Sequence, residues 1–123
     1  MAFVSNAGLS NVMAAWEAFA SRPQWIQYGT GAGQDITSND LSAPVESRVL
    51  ANTTQETTTT AGDTFRMNGT LYASSANTIT EVGVFDASTG GNMDVYGDDF
   101  TGIGLAVGDA IVFSISVTVA QGA

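Results

Sequence analysis

Histidine, cysteine and lysine are all missing from this chain, and arginine occurs only at Arg22, Arg48 and Arg66. Each absence removes a class of chemistry. Without cysteine there is no disulfide, no thiolate nucleophile and no sulfur ligand for a metal. Without histidine the chain lacks the side chain that ordinarily exchanges protons near neutral pH. A Ser-His-Asp arrangement and any histidine-bearing zinc site are therefore excluded. Without lysine there is no Schiff-base amine. Any catalysis would fall to paired carboxylates, tyrosines or backbone groups, and neither a metal nor a cofactor is expected.

Twelve acids face the three cations, for a net charge of −9. Such a surface repels phosphate backbones and anionic lipid, so neither nucleic acid nor membrane is expected as a partner. No run is long and apolar enough to span a bilayer. The opening MAFVSNAGLSNVMAAWEAFASR has no basic leader and is interrupted by Glu17, which reads as mature protein rather than a secretory signal. The sequons at Asn52-Thr53-Thr54 and Asn68-Gly69-Thr70 then read as incidental.

What remains is a chain of 123 residues, 44% hydrophobic and carrying 14 glycines. That length suits one domain, and that composition suits a folded, turn-rich one. Leu9, Val12, Met13, Trp16, Phe19 and Ala20 recur at helical spacing and predict an amphipathic helix over 9–20. Ser5, Asn6 or Ser10 would cap it, and Pro23 lies just beyond it. The helix either covers a face of its own body or forms an arm for a neighbouring subunit.

From Pro23 onward the period changes from helix to strand. QWIQY (24–28) reads as a short aromatic strand closed by GTGAG (29–33). In LSAPVESRVL (41–50), Val45, Ser47 and Val49 alternate with Glu46 and Arg48. The threonine-rich run 51–63 is β-compatible without a core face, which predicts an exposed strand, loop or edge. Strands are expected at TFRMNGTLYA (64–73), ITEVGVFD (79–86) and MDVY (93–96), with turns at 74–77 and 87–92. In DAIVFSISVTV (109–119), Ile111, Phe113, Ile115, Val117 and Val119 share one face, the clearest half-buried strand in the chain. The expected fold is all-β, an antiparallel β-sandwich of jelly-roll-like or barrel-like form with one N-terminal amphipathic helix. Residues 1–22 would form the arm or helix and 23–123 the single β-sandwich domain.

Several motifs invite a chemical reading. YGDD (96–99) matches a polymerase tetrapeptide, but the length and the acidic charge rule that context out. GTGAG lacks the spacing and the Gly-Lys-Ser/Thr ending of a phosphate loop, and reads as a loop with left-handed glycines. Asp86, Asp94, Asp98, Asp99 and Asp109 form an acidic region without the ladder of an EF-hand, and read as solvated turn acids. No pair of carboxylates is singled out for glycoside hydrolysis. Glu81, in the middle of an apolar strand, would share a face with Ile79, Gly83 and Phe85. If that face is inward the carboxylate needs a partner, with Arg48 and Arg66 as candidates. It reads as framework.

Taken together, WIQYGTG (25–31), ITEVGVFDASTGG (79–91), F-x-x-I-x-L (100–105) and GDAIVFSISVTV (108–119) resemble small virion proteins of tailed phages. These are head decoration (cement) proteins and related tail-collar or fibre β-domains. The resemblance covers roughly residues 25–119, and T-E-V-G-V-F-D is its most distinctive part. It implies a framework built on Trp25, Gly29, Gly31, Thr80, Glu81, Val82, Gly83, Phe85, Asp86, Gly108 and Asp109, with no catalytic residue. It also implies a structural, non-enzymatic protein made in the host cytoplasm and located at the capsid surface. Its partners would be the major capsid protein and further copies of itself, as a dimer or trimer. Phe3, Val4 and Leu9 are candidate interface residues. The alternatives are a tail-fibre or collar attachment domain and, from a different class, a carbohydrate-binding β-sandwich module using Trp16 or Trp25.

Overall fold

The first ordered turn begins where Ser5 caps a helix: its Oγ accepts from the Gly8 N–H at 3.2 Å. A capping hydroxyl of this kind satisfies one of the amide groups that a helix start leaves free. The computed structural model describes residues 3–120. Helix α1 runs Asn6–Ala18, and nine strands follow: β1 Trp25–Gly29, β2 Val49–Leu50, β3 Asn52–Glu56, β4 Thr64–Tyr72, β5 Asn77–Ile79, β6 Glu81–Phe85, β7 Met93–Gly97, β8 Ile103–Leu105 and β9 Ala110–Thr118. They form three antiparallel sheets, in the orders β2-β1-β6-β7, β3-β4-β9 and β5-β8. The chain is therefore an all-β domain of several antiparallel sheets with one short N-terminal helix.

One core draws on every sheet. Met13 of α1, Ile26 and Tyr28 of β1, Phe65, Met67 and Leu71 of β4, Ile79 of β5, Val82 and Val84 of β6 and Leu105 of β8 pack together. Burying a side chain as large as Phe65 contributes about 2–3 kcal/mol. Trp16 lies against it with ring centroids 5.1 Å apart, which ties the helix to the body. A smaller cluster joins Leu41, Phe85 and Met93 with half-buried Trp25. Both tryptophans thus serve packing.

Two sequence expectations change here. The helical stripe is only half used: Leu9 and Met13 are buried, whereas Val12 and Phe19 stay exposed. The expected single strand 79–86 is two strands, because Thr80 leaves the ladder. Its N–H donates to the Gly29 carbonyl (3.0 Å) and its Oγ1 to the Gly31 carbonyl (2.7 Å). Ile79 therefore pairs with Ile103 in one sheet while Glu81 pairs with Gly29 in another. Strand β6 is buried on both faces as a result. The threonine-rich run does supply an edge strand, β3.

The turn 87–92 closes as its composition predicts. Gly90 and Gly91 sit at φ +64° and +65°, where a Cβ is strained. Asp86 holds the turn from below, accepting from the Asn92 N–H at 2.8 Å.

Candidate functional site

Glu81 is the one acid buried in the apolar sheet, with no solvent exposure at all. Register places it opposite Gly29, and the two glycines of the 29–31 segment are what make room for it. A Cβ on Gly29 would lie 3.0 Å from the Glu81 carboxyl carbon and 2.5 Å from the Ala43 carbonyl oxygen. On Gly31 it would lie 2.6 Å from Glu81 Oε2. These glycines serve close approach. Within GTGAG, only Gly33 takes a positive φ.

The expected cationic partner is not there. Glu81 Oε1 accepts a 3.3 Å hydrogen bond from the Ala43 N–H, and Oε2 has no partner among the described residues. The Gln34 amide lies beside it. Oriented to satisfy its other neighbours, it donates to Ser38 Oγ (3.0 Å) and the Asp40 carbonyl (3.1 Å) and accepts from the Ser42 N–H (2.9 Å). Arg48 is elsewhere because Val49 pairs with Ile26, at the far end of β1 from Gly29. Its Nη1 donates to the carbonyls of Ala87 (2.8 Å) and Gly90 (2.7 Å), and its guanidinium sits 3.5 Å above the Phe85 ring. Arg66 belongs to the other sheet, where its Nε donates to Ser116 Oγ at 3.3 Å. An arginine above an aromatic ring is favourable in its own right, so Arg48 fastens the β6–β7 hairpin.

Sequence reasoning missed a second buried acid, Asp63, which is 1% exposed. Its Oδ1 accepts from the Thr58 N–H (2.9 Å) and Thr64 Oγ1 (2.8 Å); its Oδ2 accepts from the N–H groups of Thr59 (3.1 Å) and Thr60 (2.8 Å). The Thr60 and Thr58 amides, foremost among these donors, hold its carboxyl well below the usual carboxylate range. The signal was in the sequence. A run of small hydroxylated residues followed by Gly-Asp is a turn awaiting an acceptor.

The remaining framework residues are dispersed. Val82 is buried in the core, Gly83 leaves room for Met93 and Leu41, and Gly108 takes φ +86° beside Asp109, whose Oδ2 accepts from the Ala106 N–H at 2.8 Å. Asp98 accepts from the Gln34 N–H at 2.9 Å. Among the described residues no group of three or more acids is placed to hold a metal ion, and no helix is long and apolar enough to cross a membrane.

Exposed large apolar side chains occur along the whole chain, Ile36, Tyr72, Val107 and Val112 among them, and one group of them lies at the N-terminal side. Phe3 and Val4 are 69% and 49% exposed. Leu9, the third candidate of that group, is buried against the body. Val12 and Trp16 of α1, with Phe19 just after it, face Val117 and Val119 across an open apolar groove of about 710 Å³. A polar cleft of about 390 Å³ lies between Gln27, Glu46, Arg48 and the 88–90 turn. No family model matches the chain, nor does any curated protein or solved structure.

Proposed function

We propose that this chain is a non-enzymatic structural virion protein, a decoration subunit that binds the lattice of the major capsid protein and stabilises the head. In this reading its sheets form a β-sandwich, and the N-terminal segment is its capsid-facing arm. The observation that carries it is the division of labour on the surface. The buried acids sit in framework positions, while Phe3, Val4, Val12 and Phe19 present apolar area beside α1 on a strongly acidic body. Apolar area of that kind on a soluble protein marks a contact surface. Many copies of a modest contact add up across a lattice. The resemblance through T-E-V-G-V-F-D supplies the virion context.

The test is co-sedimentation with expanded phage heads. Removing residues 1–4, or replacing Phe3 and Phe19 by Asp, should abolish binding while the thermal unfolding profile stays that of the parent. Undiminished binding by both variants would dismiss this surface. Removing the whole helix is a poorer test, because Met13 and Trp16 belong to the core. A carbohydrate-binding module would need a tryptophan platform beside polar groups, whereas the polar cleft is lined by neither tryptophan and the groove that Trp16 lines is apolar.

A further inference from the structure

The free edge of β9 is unlike every other edge in the molecule. Strand β2 has two residues, β5 and β8 three each. Strand β7 carries Asp94 and runs into Asp98 and Asp99. Strand β3 carries Glu56 and is held by α1, through Gln55 Nε2 donating to the Ser10 carbonyl at 2.9 Å. These are the usual ways of blunting an edge: shortness, charge and cover. Strand β9 has none of them. It runs nine residues, AIVFSISVT, without charge or proline, and among the described residues it pairs only with β4.

Its hydrogen-bonding parity can be read from the two ends. Val119 N–H donates to the Asp63 carbonyl and Ala73 N–H to the Asp109 carbonyl, both in the register that pairs Thr64 with Thr118. Antiparallel ladders alternate. Odd-numbered residues of β9 therefore turn their backbone groups to β4. Ala110, Val112, Ser114, Ser116 and Thr118 turn theirs to the open edge. The side chains follow the opposite division: Ile111, Phe113, Ile115 and Val117 lie against the core yet remain only half covered. Val112, on the outer face, is 69% exposed.

We propose that β9 pairs antiparallel with β9 of a second copy about a two-fold axis at Ser114, joining two three-stranded sheets into one of six. A two-fold interface must be complementary to itself, and this strand is. Centred on Ser114, Phe113 meets Ile115 of the second copy, Ile111 meets Val117, and Val112 meets Ser116. Apolar residues thus oppose apolar ones on the inner face, and every outward backbone group finds a partner. Charge favours the same occupant. Two bodies of net charge −9 approach most readily along a strip where neither brings an acid. The nearest acid, Asp109, would face Val119 of the second copy. The pairing also brings Ile111 of the second copy to Val117, at the rim of the α1 groove.

Size sets the strength. Nine residues at about 3.4 Å make a strip about 30 Å long. With the groove rim it covers on the order of 500 Å² per copy, near the lower limit of about 1,000 Å² for a specific interface. The dimer is thus a small interface that the experiment reads across a range of concentrations, and it stands whether or not the capsid reading does.

The experiment is sedimentation equilibrium of the full chain from about 1 to 100 µM. A monomer–dimer equilibrium is expected. Ser114→Pro deletes an outward N–H that β4 does not use, a position where proline is tolerated, and should leave only monomer. Val112→Lys with Ser116→Lys sets like charges opposite each other and should do the same. Val112→Lys with Ser116→Glu sets opposite charges together and should restore the dimer, a readout that fixes the register. Far-ultraviolet circular dichroism of each variant should match the parent. A parent that is monomeric at 100 µM, one that forms species larger than a dimer, or a dimer indifferent to both the proline and the paired lysines would overturn the proposal. If Ser114→Pro unfolds, the two charge variants decide alone.

Discussion

Asp63 and Glu81 are both carboxyl groups withdrawn from water, and they are treated in opposite ways. Asp63 sits in a turn whose backbone is folded around it, with a donor for every direction its oxygens face. Glu81 opens the central strand β6, and only its Oε1 is engaged, by long contacts to the Ala43 N–H (3.3 Å) and the Gln34 side-chain amide (3.4 Å). A turn can wrap an acid because its amides are not already engaged in a ladder. A central strand has spent its amides on its neighbours and has few left to offer. The first acid therefore stabilises the fold. The second occupies space that two glycines and the Ala43 segment were shaped to leave.

Replacing each acid tests that contrast. The largest loss is expected for Asp63→Ala, which leaves the Thr58, Thr59 and Thr60 amides without their acceptor; the melting temperature should fall on the order of 10 °C. A fall of only a degree or two in a thermal scan would mean that water replaces the carboxyl, and the contrast with Glu81 would collapse.

Next comes Gly29→Ala. The new methyl group meets the Ala43 carbonyl oxygen rather than a flexible side chain, so about 1–3 kcal/mol of stability should be lost in urea unfolding. Gly31→Ala, which meets Glu81 Oε2 and the Ser42 side chain, should cost less and should partly recover when combined with a shorter residue at position 81. Strict additivity of that pair would show that Gly31 and Glu81 do not compete for the same space.

A smaller effect concerns pH. The folded Asp63 carboxyl titrates below its unfolded value of about 3.9. The stability it confers is therefore complete above that value and is lost progressively as the pH falls toward the folded one. Melting curves of the parent should begin to decline near pH 4, and Asp63→Asn should flatten that decline. Parallel profiles for the two proteins would assign acid sensitivity elsewhere.

The smallest change is expected for Glu81→Gln, which keeps the shape and removes the acid. Because no cation depends on it, stability should stay within about 0.5 kcal/mol of the parent or rise slightly. A loss as large as that of Asp63→Ala would reveal a donor to Glu81 that its present neighbours do not supply.

Much of the scaffold could be read directly from periodicity. The Ser5 cap, the alternation of β9 and the glycine turn at 90–91 are local signals, and they appear where the local pattern places them. Three features were hidden for a common reason: they depend on which segments meet. The break at Thr80 is made by carbonyls fifty positions upstream in GTGAG. Arg48 looked like an ion-pair partner and instead found carbonyls and a ring. The stripe position Phe19 looked like core, but α1 tilts only its Leu9–Met13 side onto the body. Composition showed that an acid in a strand needs a partner. It could not show that two small residues across the sheet would accommodate it without one.

Thr80 has a mechanical consequence. With a single residue between β5 and β6, the backbone steps from one sheet to the next without any slack, and that residue is itself bolted to two carbonyls of β1 and its extension. Thr80 thereby pins the step from the β5–β8 sheet to the sheet that holds β1 and β6. A body locked in this way meets whatever it touches already in its final shape, so little freedom is surrendered on contact and small patches can hold.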